Sequence, residues 1–321
     1  SFRQRVAVDI SNIRTRKSLL GIDYRMPVAL APVGLLGMQK ANGEILAAQA
    51  AESFGVPFTL STMSICSIED VARNTSEPFW FQLYVMRDHD FAKRLVERAK
   101  AAECSALVLT LDLQILGQRH ADIRNGLSVP MKIKMSNVFD LISKPNWCFE
   151  MARTKNRTFG NIMGHVKDIK NLTSLTKWVQ SQFDPKLNWD DVKRIKDWWG
   201  GKLIVKGIMD PDDAKMAQKC GADALVVSNH GGRQLDGVNS SISTLPEIRK
   251  AVSNIEVLMD GGISSGQDIL KAIAMGAEGV MIGRSFVYGL SVGGKKGVTK
   301  SLEILNKELD MTMALCGRRD I

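Results

Sequence analysis

The sequence lacks the features that define several large classes of protein. It contains no run of about 18 apolar residues, so we expect no membrane-spanning helix. Its five cysteines form no CxxC pair and no metal-ligand spacing, which argues against a disulfide framework or zinc module and favours a reducing intracellular compartment. A signal peptide and a nucleic-acid-binding motif are also absent. We therefore expect a cytoplasmic protein with no metal site and no nucleic-acid partner.

A phosphate-binding loop of the GxxxxGK[ST] type is also excluded. Residues 289–296 read Gly-Leu-Ser-Val-Gly-Gly-Lys-Lys and come close to that pattern. However, Lys296 stands where the pattern requires a metal-binding hydroxyl, and no strand directly precedes the segment. We therefore expect no nucleotide phosphate to bind there.

The composition is that of a globular protein with a large core, but its charge is unevenly distributed. Of the 321 residues, 45% are hydrophobic and 24% are charged, and the formal net charge is +9. Residues 131–186 contain ten Lys or Arg and four Asp or Glu, so this segment carries +6. Such a segment could contact anionic lipid, although most charged runs are simply solvated.

Short apolar runs alternate with helical patterns along most of the chain. Each run is typical of a buried parallel strand, and most are followed by apolar residues at helical spacing. This alternation predicts a parallel sheet, and eight repeats favour an α/β fold of the (β/α)8 TIM-barrel type over two dinucleotide-binding halves. The predicted strands are residues 27–31, 57–61, 79–84, 106–112, 202–206, 224–228, 256–260 and 279–283. The predicted helices cover residues 42–54, 88–102, 189–199, 211–220 and 265–275.

One long connection, residues 113–188, interrupts this alternation. It follows the fourth predicted strand, so it should lie on the face of the barrel where the carboxyl ends of the strands meet. It also contains most of the basic excess. An insert of this length in a compact domain is usually functional or mobile. We interpret it as a lid or a docking segment, with a plain surface excursion as the alternative.

A dense polar cluster directly follows the sixth predicted strand. The apolar residues 224–227 lead into Ser-Asn-His-Gly-Gly-Arg at 228–233. His230 is a candidate base and Arg233 a fixed cation, while the two glycines allow the backbone to approach a ligand closely. A lone histidine would more often be structural, but here a strand end, an arginine and two glycines coincide. The cluster therefore marks a candidate active site.

The other predicted strands also end in polar residues or glycines. Since the carboxyl ends of barrel strands converge, we expect these residues to form one site. Burying them unsatisfied would cost about 1–3 kcal/mol each, so stability alone does not explain them. The backbone amides after the last two strands, in Asp260-Gly261-Gly262 and Gly283-Arg284, favour a bound phosphate. The polar residues at the remaining ends are Ser61, Gln82, Tyr84, Thr110, Asp112 and Lys206.

The motifs at these strand ends resemble those of the FMN-dependent L-2-hydroxy acid oxidoreductases, and most of all the bacterial respiratory L-lactate dehydrogenases. The resemblance runs from about residue 25 to the end of the chain and is weakest in the insert. It implies that residues 1–321 form a single FMN-binding barrel domain. The motifs are APVG at 31–34, LST at 60–62, WFQLYV at 80–85, LTLD at 109–112, VKG at 205–207, SNHGGRQ at 228–234, DGG at 260–262 and GR at 283–284.

The resemblance implies FMN as the cofactor and assigns most of the strand-end residues to it. The backbone of Pro32, Val33 and Gly34 would lie near the flavin ring. Lys206 would lie beside the N1 and C2 carbonyl region, where a fixed cation assists catalysis by stabilising the negative charge of the reduced ring. Ser61, Gln82, Thr110 and Ser228 would bond the ring, and Asp260, Gly261, Gly262, Gly283 and Arg284 would hold the ribityl chain and phosphate.

The resemblance also implies roles in the oxidation of a 2-hydroxy acid. His230 would accept a proton as two electrons pass to the flavin, and Asp112 would orient and stabilise the resulting imidazolium. Arg233 would bind the substrate carboxylate with the assistance of Arg119. Tyr84 would bond the hydroxyl or keto oxygen of the substrate.

Two departures from the family pattern bear on binding. Family members carry a segment with a substrate-binding tyrosine before the barrel, and this chain begins after it, which predicts weaker substrate binding if the segment is truly absent. They also usually have an arginine shortly after the Asp-Gly-Gly turn, where this chain has Ser264. Loss of one charged phosphate contact would weaken FMN binding by about 1.5–3 kcal/mol.

We therefore expect FMN-dependent oxidation of L-lactate to pyruvate, with the electrons passed to a membrane quinone. The basic insert would touch anionic lipid on the inner face of the cell membrane, and a homo-oligomer is expected. One alternative is a 2-hydroxy acid oxidase that reduces oxygen to hydrogen peroxide, and another is a folded barrel that has lost its activity. Met63 falls where the family varies a residue that limits substrate size, which predicts a small aliphatic side chain on the substrate.

Overall fold

A barrel of parallel strands dominates the fold. The computed structural model describes residues 1–115, 117, 120, 124–125, 141–166, 178 and 181–321. In that part of the chain, eight parallel strands form one sheet in which neighbours in space are neighbours in sequence. Leu30 in the first of them bridges Phe58, just before the second, and so closes the ring. The predicted (β/α)8 fold is confirmed.

The strands of the barrel coincide with the eight predicted apolar runs. An antiparallel hairpin precedes them. In chain order, the hairpin strands are β1 (Lys17–Leu19) and β2 (Ile22–Tyr24), and the barrel strands are β3 (Val28–Leu30), β4 (Thr59–Ser61), β5 (Trp80–Tyr84), β6 (Ala106–Thr110), β7 (Lys202–Ile208), β8 (Ala224–Val227), β9 (Glu256–Asp260) and β10 (Gly279–Ile282).

Side chains on the barrel strands alternate between the barrel interior and an outer layer beneath the helices. In β8, Val226 belongs to the inner cluster, whereas Leu225 and Val227 belong to the outer cluster. Every residue of this strand is buried. Burial on both faces explains why the strand sequences are continuously apolar, since each buried Val or Leu side chain contributes about 1.5–3 kcal/mol.

The hairpin β1–β2 covers the end of the barrel at which the strands begin. Leu19 and Leu20 pack with the inner cluster, and the backbone N–H of Leu20 donates to the Glu256 carboxylate at 3.0 Å. The sequence analysis did not predict this hairpin. Its strands have three residues each and mixed polarity, so they show no periodic pattern.

Helices surround the barrel and begin at recognisable caps. Asp210 caps a helix that opens with Pro211, and capping boxes begin at Ser67, Asn188 and Ser265. The described helices are α1 (Leu36–Gln39), α2 (Gly43–Phe54), α3 (Ile68–Ala72), α4 (His89–Ala101), α5 (Pro145–Arg153), α6 (Trp189–Trp199), α7 (Pro211–Lys219), α8 (Ser241–Ala251), α9 (Gly266–Ala274) and α10 (Arg284–Leu315).

All five predicted helices are present, whereas α1, α3, α5, α8 and α10 were not predicted. Helix α10 has a break at Gly294, where the backbone adopts φ +55°. Residues 289–296 lie inside this helix, so they do not form the loop that a GxxxxGK[ST] motif requires. None of the described helices is both long and apolar enough to span a membrane.

The described part of the insert is fastened to loops at the carboxyl end of the barrel. In α5, the Trp147 indole donates to the Met38 carbonyl at 3.0 Å, and Glu150 pairs with Lys40 at 2.7 Å. Further along, the buried Asn161 donates to Ser64 Oγ at 2.9 Å. The described part of the insert therefore packs over the loops that follow β3 and β4.

Candidate active site

The register of the sheet brings predicted site residues from neighbouring strands into rows. Tyr84, Thr110 and Lys206 are consecutive partners across β5, β6 and β7. Ser61 and Gln82 are partners across β4 and β5, and the Ser61 hydroxyl donates to Gln82 Oε1 at 3.1 Å. The carboxyl ends of four successive strands thus contribute polar groups to one end of the barrel.

Lys206 is a buried cation held by two neighbours. Its ammonium lies 2.8 Å from Asp260 Oδ2 and donates to Ser228 Oγ at 2.8 Å. Burial disfavours the charged amine, but the carboxylates of Asp260 and Asp112 outweigh this effect and raise the pKa of Lys206 above its ordinary value. Lys206 therefore carries a positive charge at neutral pH inside a site from which water is largely excluded.

His230 and Asp112 form a hydrogen-bonded pair across two loops. His230 Nδ1 lies 3.0 Å from Asp112 Oδ1 and 3.1 Å from Oδ2, and both side chains are mostly buried. The pairing of Nδ1 leaves Nε2 as the nitrogen that can exchange a proton with a ligand. A carboxylate that accepts from Nδ1–H can orient an imidazole so that its Nε2 is able to act as a general base.

The backbone at His230 is strained, and its surroundings support it. His230 has φ +56°, and Gly231 and Gly232 continue in the left-handed region with φ +67° and +73°. The N–H of His230 donates to Ser228 Oγ at 3.1 Å, and the side chain of Asn229 accepts from the N–H of Gly232 at 3.2 Å. Such conformations cost about 1–3 kcal/mol for non-glycine residues and occur often at functional sites.

Gly207 makes room for Asp112. The pairing of β7 with β8 shifts register between Lys206 and Ile208, and Gly207 has φ +103° there. A Cβ atom at this position would lie 2.8 Å from both Cβ and Cγ of Asp112. Only glycine permits both this φ and this approach, so Gly207 is a part of the site that its motif alone did not reveal.

Three buried polar atoms near the carboxyl ends of the strands have no hydrogen-bond partner among the described residues. They are Gln82 Nε2, Thr110 Oγ1 and Asp260 Oδ1. Gln82 Oε1 accepts from Ser61 Oγ and the N–H of Thr62, which fixes the amide and directs Nε2 elsewhere. Unpaired buried groups are costly, so a ligand that supplies acceptors and donors fits here. The hydrogen-bonding edge of an isoalloxazine ring is such a ligand.

A cavity of about 310 Å³ lies beyond the ends of β8, β9 and β10. Its walls include Gly261, Gly262, Arg284 and Lys271. The glycines have φ +87° and +77°, conformations that leave backbone N–H groups open to a ligand. Two cations and a glycine turn fit a phosphate, as the sequence predicted for this end of the site.

Ser264 occupies the position where the family pattern has an arginine, and its polar groups are already used. Its N–H and its hydroxyl each donate to Asp268 Oδ2 at 3.1 Å. Burial favours the neutral acid, but the hydrogen bonds from Ser264 and Ser265 outweigh it and lower the pKa of Asp268. The cations near this end therefore come from Arg284 and from Lys271, a residue that the sequence analysis missed.

The remaining predicted site residues lie in the loops that follow other strands of the barrel or outside the described residues. Pro32, Val33 and Gly34 follow β3, and a Cβ at Gly34 would lie 3.3 Å from Met63. Arg233 is exposed on the loop after His230. Gly283 precedes α10 and Arg284 begins it. Arg119 lies outside the described residues. Gln234 was not predicted as a site residue, although it stands next to Arg233 in the motif and contacts the Asp112 segment.

The chain is similar to known proteins in sequence and in structure. The model of the FMN-dependent dehydrogenase family matches residues 1–321. The chain is 45% identical to L-lactate dehydrogenase of Caulobacter sp. (strain K31), over 99% of this chain and 84% of that protein. It is also 45% identical to L-lactate dehydrogenase of Haemophilus influenzae (strain PittEE), over 100% of this chain and 84% of that protein.

Two solved structures are similar over the whole barrel. The monotopic membrane protein (S)-mandelate dehydrogenase has a TM-score of 0.94 and 35% identity, covering 100% of this chain and 85% of that chain. A mandelate oxidase has a TM-score of 0.84 and 34% identity, covering 99% of this chain and 83% of that chain.

Proposed function

Because this chain belongs to the FMN-dependent dehydrogenase family, we propose that it oxidises L-lactate to pyruvate. Family membership makes it an FMN-dependent oxidoreductase. The observation that carries the proposal is the pair formed by His230 and Asp112, 3.0 Å apart and linked to the buried Lys206 through Ser228. A base and a buried cation suit a reaction that removes two protons and two electrons from one alcohol.

His230 is the proposed base. Its Nε2 accepts the proton of the substrate hydroxyl, while Nδ1 keeps its hydrogen and donates it to the Asp112 carboxylate, which holds the ring in place. Asp112 then stabilises the imidazolium that forms, since the carboxylate and the ring remain in contact.

Cationic and phenolic groups are proposed to bind the substrate. Arg233 follows His230 by three positions, so a carboxylate held by its guanidinium would place the adjacent hydroxyl carbon near the base. Tyr84 ends β5 beside Thr110 and is proposed to bond the substrate oxygen. Arg119 is proposed to assist Arg233. Guanidinium groups suit this role because they bind a carboxylate with two parallel hydrogen bonds.

FMN, when bound, would accept the two electrons together with the hydrogen that leaves the hydroxyl-bearing carbon. We propose that the flavin is held by the backbone of residues 32–34 and by a ring-edge set of side chains, namely Ser61, Gln82, Thr110, Lys206 and Ser228. Gln82 and Thr110 support this proposal because each buries a polar atom that has no described partner. The Lys206 ammonium would stabilise negative charge on the reduced ring. The glycine turn, Gly283 and Arg284 are proposed to bind the phosphate. Asp260, Gly261 and Gly262 complete the proposed ribityl and phosphate set.

The decisive experiment follows the visible flavin absorbance of the purified protein under anaerobic conditions. Addition of L-lactate should bleach the flavin bands, and His230→Gln should keep them oxidised while still binding FMN. His165→Gln changes a histidine that lies near α4 and should bleach like the parent. Bleaching by other 2-hydroxy acids but not by lactate would contradict the assignment of lactate as the substrate. Bleaching of His230→Gln at the parental rate would contradict the assignment of His230 as the base.

A barrel without activity is disfavoured because the site is assembled. The His230–Asp112 pair and the Lys206–Asp260 pair are both formed, and both would cost stability without a ligand to use them. A 2-hydroxy acid oxidase is the second candidate, and the similarity to a mandelate oxidase favours it. Hydrogen peroxide released in proportion to the pyruvate formed would support the oxidase, and its absence would support another acceptor.

We further propose a quinone as the electron acceptor and an anionic membrane surface as the docking partner. The insert exposes Ile142 and Phe149 to solvent, at 71% and 60%, beside the basic residues Lys144 and Arg153. One similar structure is that of a monotopic membrane dehydrogenase. Peripheral attachment on the inner face of the cell membrane fits an apolar and basic segment at the mouth of the barrel.

Sedimentation with vesicles tests this docking. The protein should pellet with anionic vesicles at low salt and be released as salt increases. Ile142→Ser and Phe149→Ser should weaken binding, whereas Val292→Ser, which alters a side chain exposed at 89% on α10, should not. Equal binding to neutral and anionic vesicles would contradict the electrostatic part of the proposal. The expected homo-oligomer can be measured in the same preparations by light scattering.

A further inference from the structure

Gln234 joins the loop that carries His230 to the segment that carries Asp112. Its Nε2 donates to the carbonyl oxygens of Asp112 at 2.8 Å and Ile115 at 2.9 Å. Its Oε1 accepts from the N–H of Gly117 at 3.3 Å. One amide side chain therefore holds three backbone groups among residues 112–115 and 117, which we call the neck of the insert.

The neck and the Gln234 loop are in direct backbone contact. A Cβ atom at Gly117 would lie 2.4 Å from the carbonyl oxygen of Gln234 and 2.8 Å from that of Arg233. Only a residue without a side chain can pass this close. The contact brings the neck within reach of the Gln234 amide and leaves little space for either backbone to shift alone.

Asp112 lies beyond the regular hydrogen bonds of its strand. Strand β6 ends at Thr110, and the N–H of Leu111 makes one further bond, to the carbonyl of Lys206 at 2.9 Å. The backbone carbonyl of Asp112 is held instead by Gln234. The backbone of the residue whose carboxylate faces His230 is therefore bonded to a side chain four residues after that histidine.

We propose that Gln234 is a positioning residue that holds Asp112 in hydrogen-bonding distance of His230. The inference rests on the proposed roles of His230 and Asp112. The Asp112–His230 and Asp112–Gln234 bonds, together with the chain from 230 to 234, form a closed ring. A ring of this kind fixes the carboxylate relative to the imidazole even though the two residues are separated by the long insert.

The primary test is Gln234→Met, which keeps the length of the side chain and removes all three hydrogen bonds. We expect kcat with L-lactate to fall by about 10- to 100-fold, the loss that accompanies a misplacement of about 1 Å. The KM should change by less than about threefold, because the substrate carboxylate is bound elsewhere. FMN content, measured from the visible spectrum, should remain that of the parent.

Gln114→Met is the matched control. Gln114 also lies in the neck, and its Nε2 donates to the carbonyl of Leu187 at 2.9 Å, so it joins the two ends of the insert without contacting Asp112. This variant should keep the parental kcat. If both variants lose kcat equally, the effect is a general loosening of the insert and the proposal is wrong.

A double-mutant cycle with Asp112→Asn separates positioning from a merely structural role. If Gln234 acts through the carboxylate, adding Gln234→Met to Asp112→Asn should lower kcat by no more than about twofold. A full loss in both backgrounds would overturn the proposal. If Asp112→Asn itself retains the parental kcat, the proposed role of Asp112 as the partner of His230 is wrong. The positioning proposal then fails as well, because Gln234 would have no catalytic carboxylate to position.

Two charged variants keep the test falsifiable if Gln234→Met does not fold. Gln234→Lys can still donate to both carbonyl oxygens and should recover part of the kcat, whereas Gln234→Glu cannot donate to them and should not. Equal activities of these two variants would contradict the proposed role of the donated bonds.

Discussion

The close approach of Gly207 to Asp112 gives the sharpest prediction. Gly207→Ala should lower kcat by displacing Asp112, although residue 207 does not contact the proposed base His230. The new Cβ would lie 2.8 Å from Cβ and Cγ of Asp112, about 1 Å inside ordinary carbon contact. Since Lys206 and Ile208 are held in the sheet, Asp112 is the group that must move. Its carboxylate would then leave the 3.0 Å contact with His230.

Gly207→Ala should lower both the stability of the fold and kcat. Overpacking costs about 1–3 kcal/mol, and the left-handed φ of +103° adds about 1–3 kcal/mol of backbone strain for alanine. Displacing the orienting carboxylate by about 1 Å should lower kcat by about 100-fold. The assay is steady-state oxidation of L-lactate with an artificial electron acceptor, together with FMN content and the midpoint of thermal denaturation.

Gly200→Ala is the control that separates strain from displacement. Gly200 ends α6 with φ +68°, and nothing lies within 4 Å of a Cβ placed there. This variant should lower the midpoint of denaturation and leave kcat unchanged. If Gly207→Ala also keeps kcat within about twofold while losing stability, the close approach does not hold Asp112 in place and the reasoning is refuted.

Three further predictions concern charge. Lys206→Met should destabilise the fold by about 3–5 kcal/mol, measured by chemical denaturation, because it leaves Asp260 buried without its cation, and adding Asp260→Asn should restore most of this loss. Lys271→Met should weaken FMN binding by about tenfold and leave riboflavin binding unchanged in fluorescence titrations, since only FMN carries the phosphate. The Arg98 guanidinium lowers the pKa of Glu69 from 4.5 to about 2, so this pair stabilises the fold above pH 4.5 and the contribution is lost as the pH falls toward 2. Glu69→Gln should therefore cost about 1 kcal/mol at neutral pH, since the pair is partly exposed, and should flatten the acid side of the stability profile.

The barrel could be predicted from sequence because its strands are buried on both faces. A strand such as β8 leaves a continuous apolar run, and a cap such as Asp210 before Pro211 marks the next helix. The hairpin β1–β2 could not be predicted this way. Its place in the fold comes from Leu19 and Leu20 filling the floor of the barrel, a tertiary contact that leaves no local pattern.

The candidate site divides in the same way. Strand-end residues such as Gln82 and Lys206 could be predicted because a closed parallel barrel brings all carboxyl ends together. The contacts made by Gly207 and Gln234 could not, because each depends on a distance between loops far apart in sequence. Lys271 was missed because it lies on a helix face rather than at a strand end. Sequence thus indicates which strands supply the chemistry, and the packing of loops decides how it is aligned.

The proposed base and the buried cation belong to one hydrogen-bonded ring. Ser228 Oγ accepts from both Lys206 Nζ and the N–H of His230, His230 pairs with Asp112, and the N–H of Leu111 returns to the carbonyl of Lys206. A displacement of any member of this ring therefore displaces the others. The Ser228 hydroxyl, which accepts from two donors, cannot move with one donor without weakening its bond to the other. Losses of kcat should be non-additive for pairs of substitutions inside this ring and additive when one substitution is at the phosphate end of the site. The proposed removal of the proton by His230 and the proposed stabilisation of charge by Lys206 thus depend on a single aligned unit.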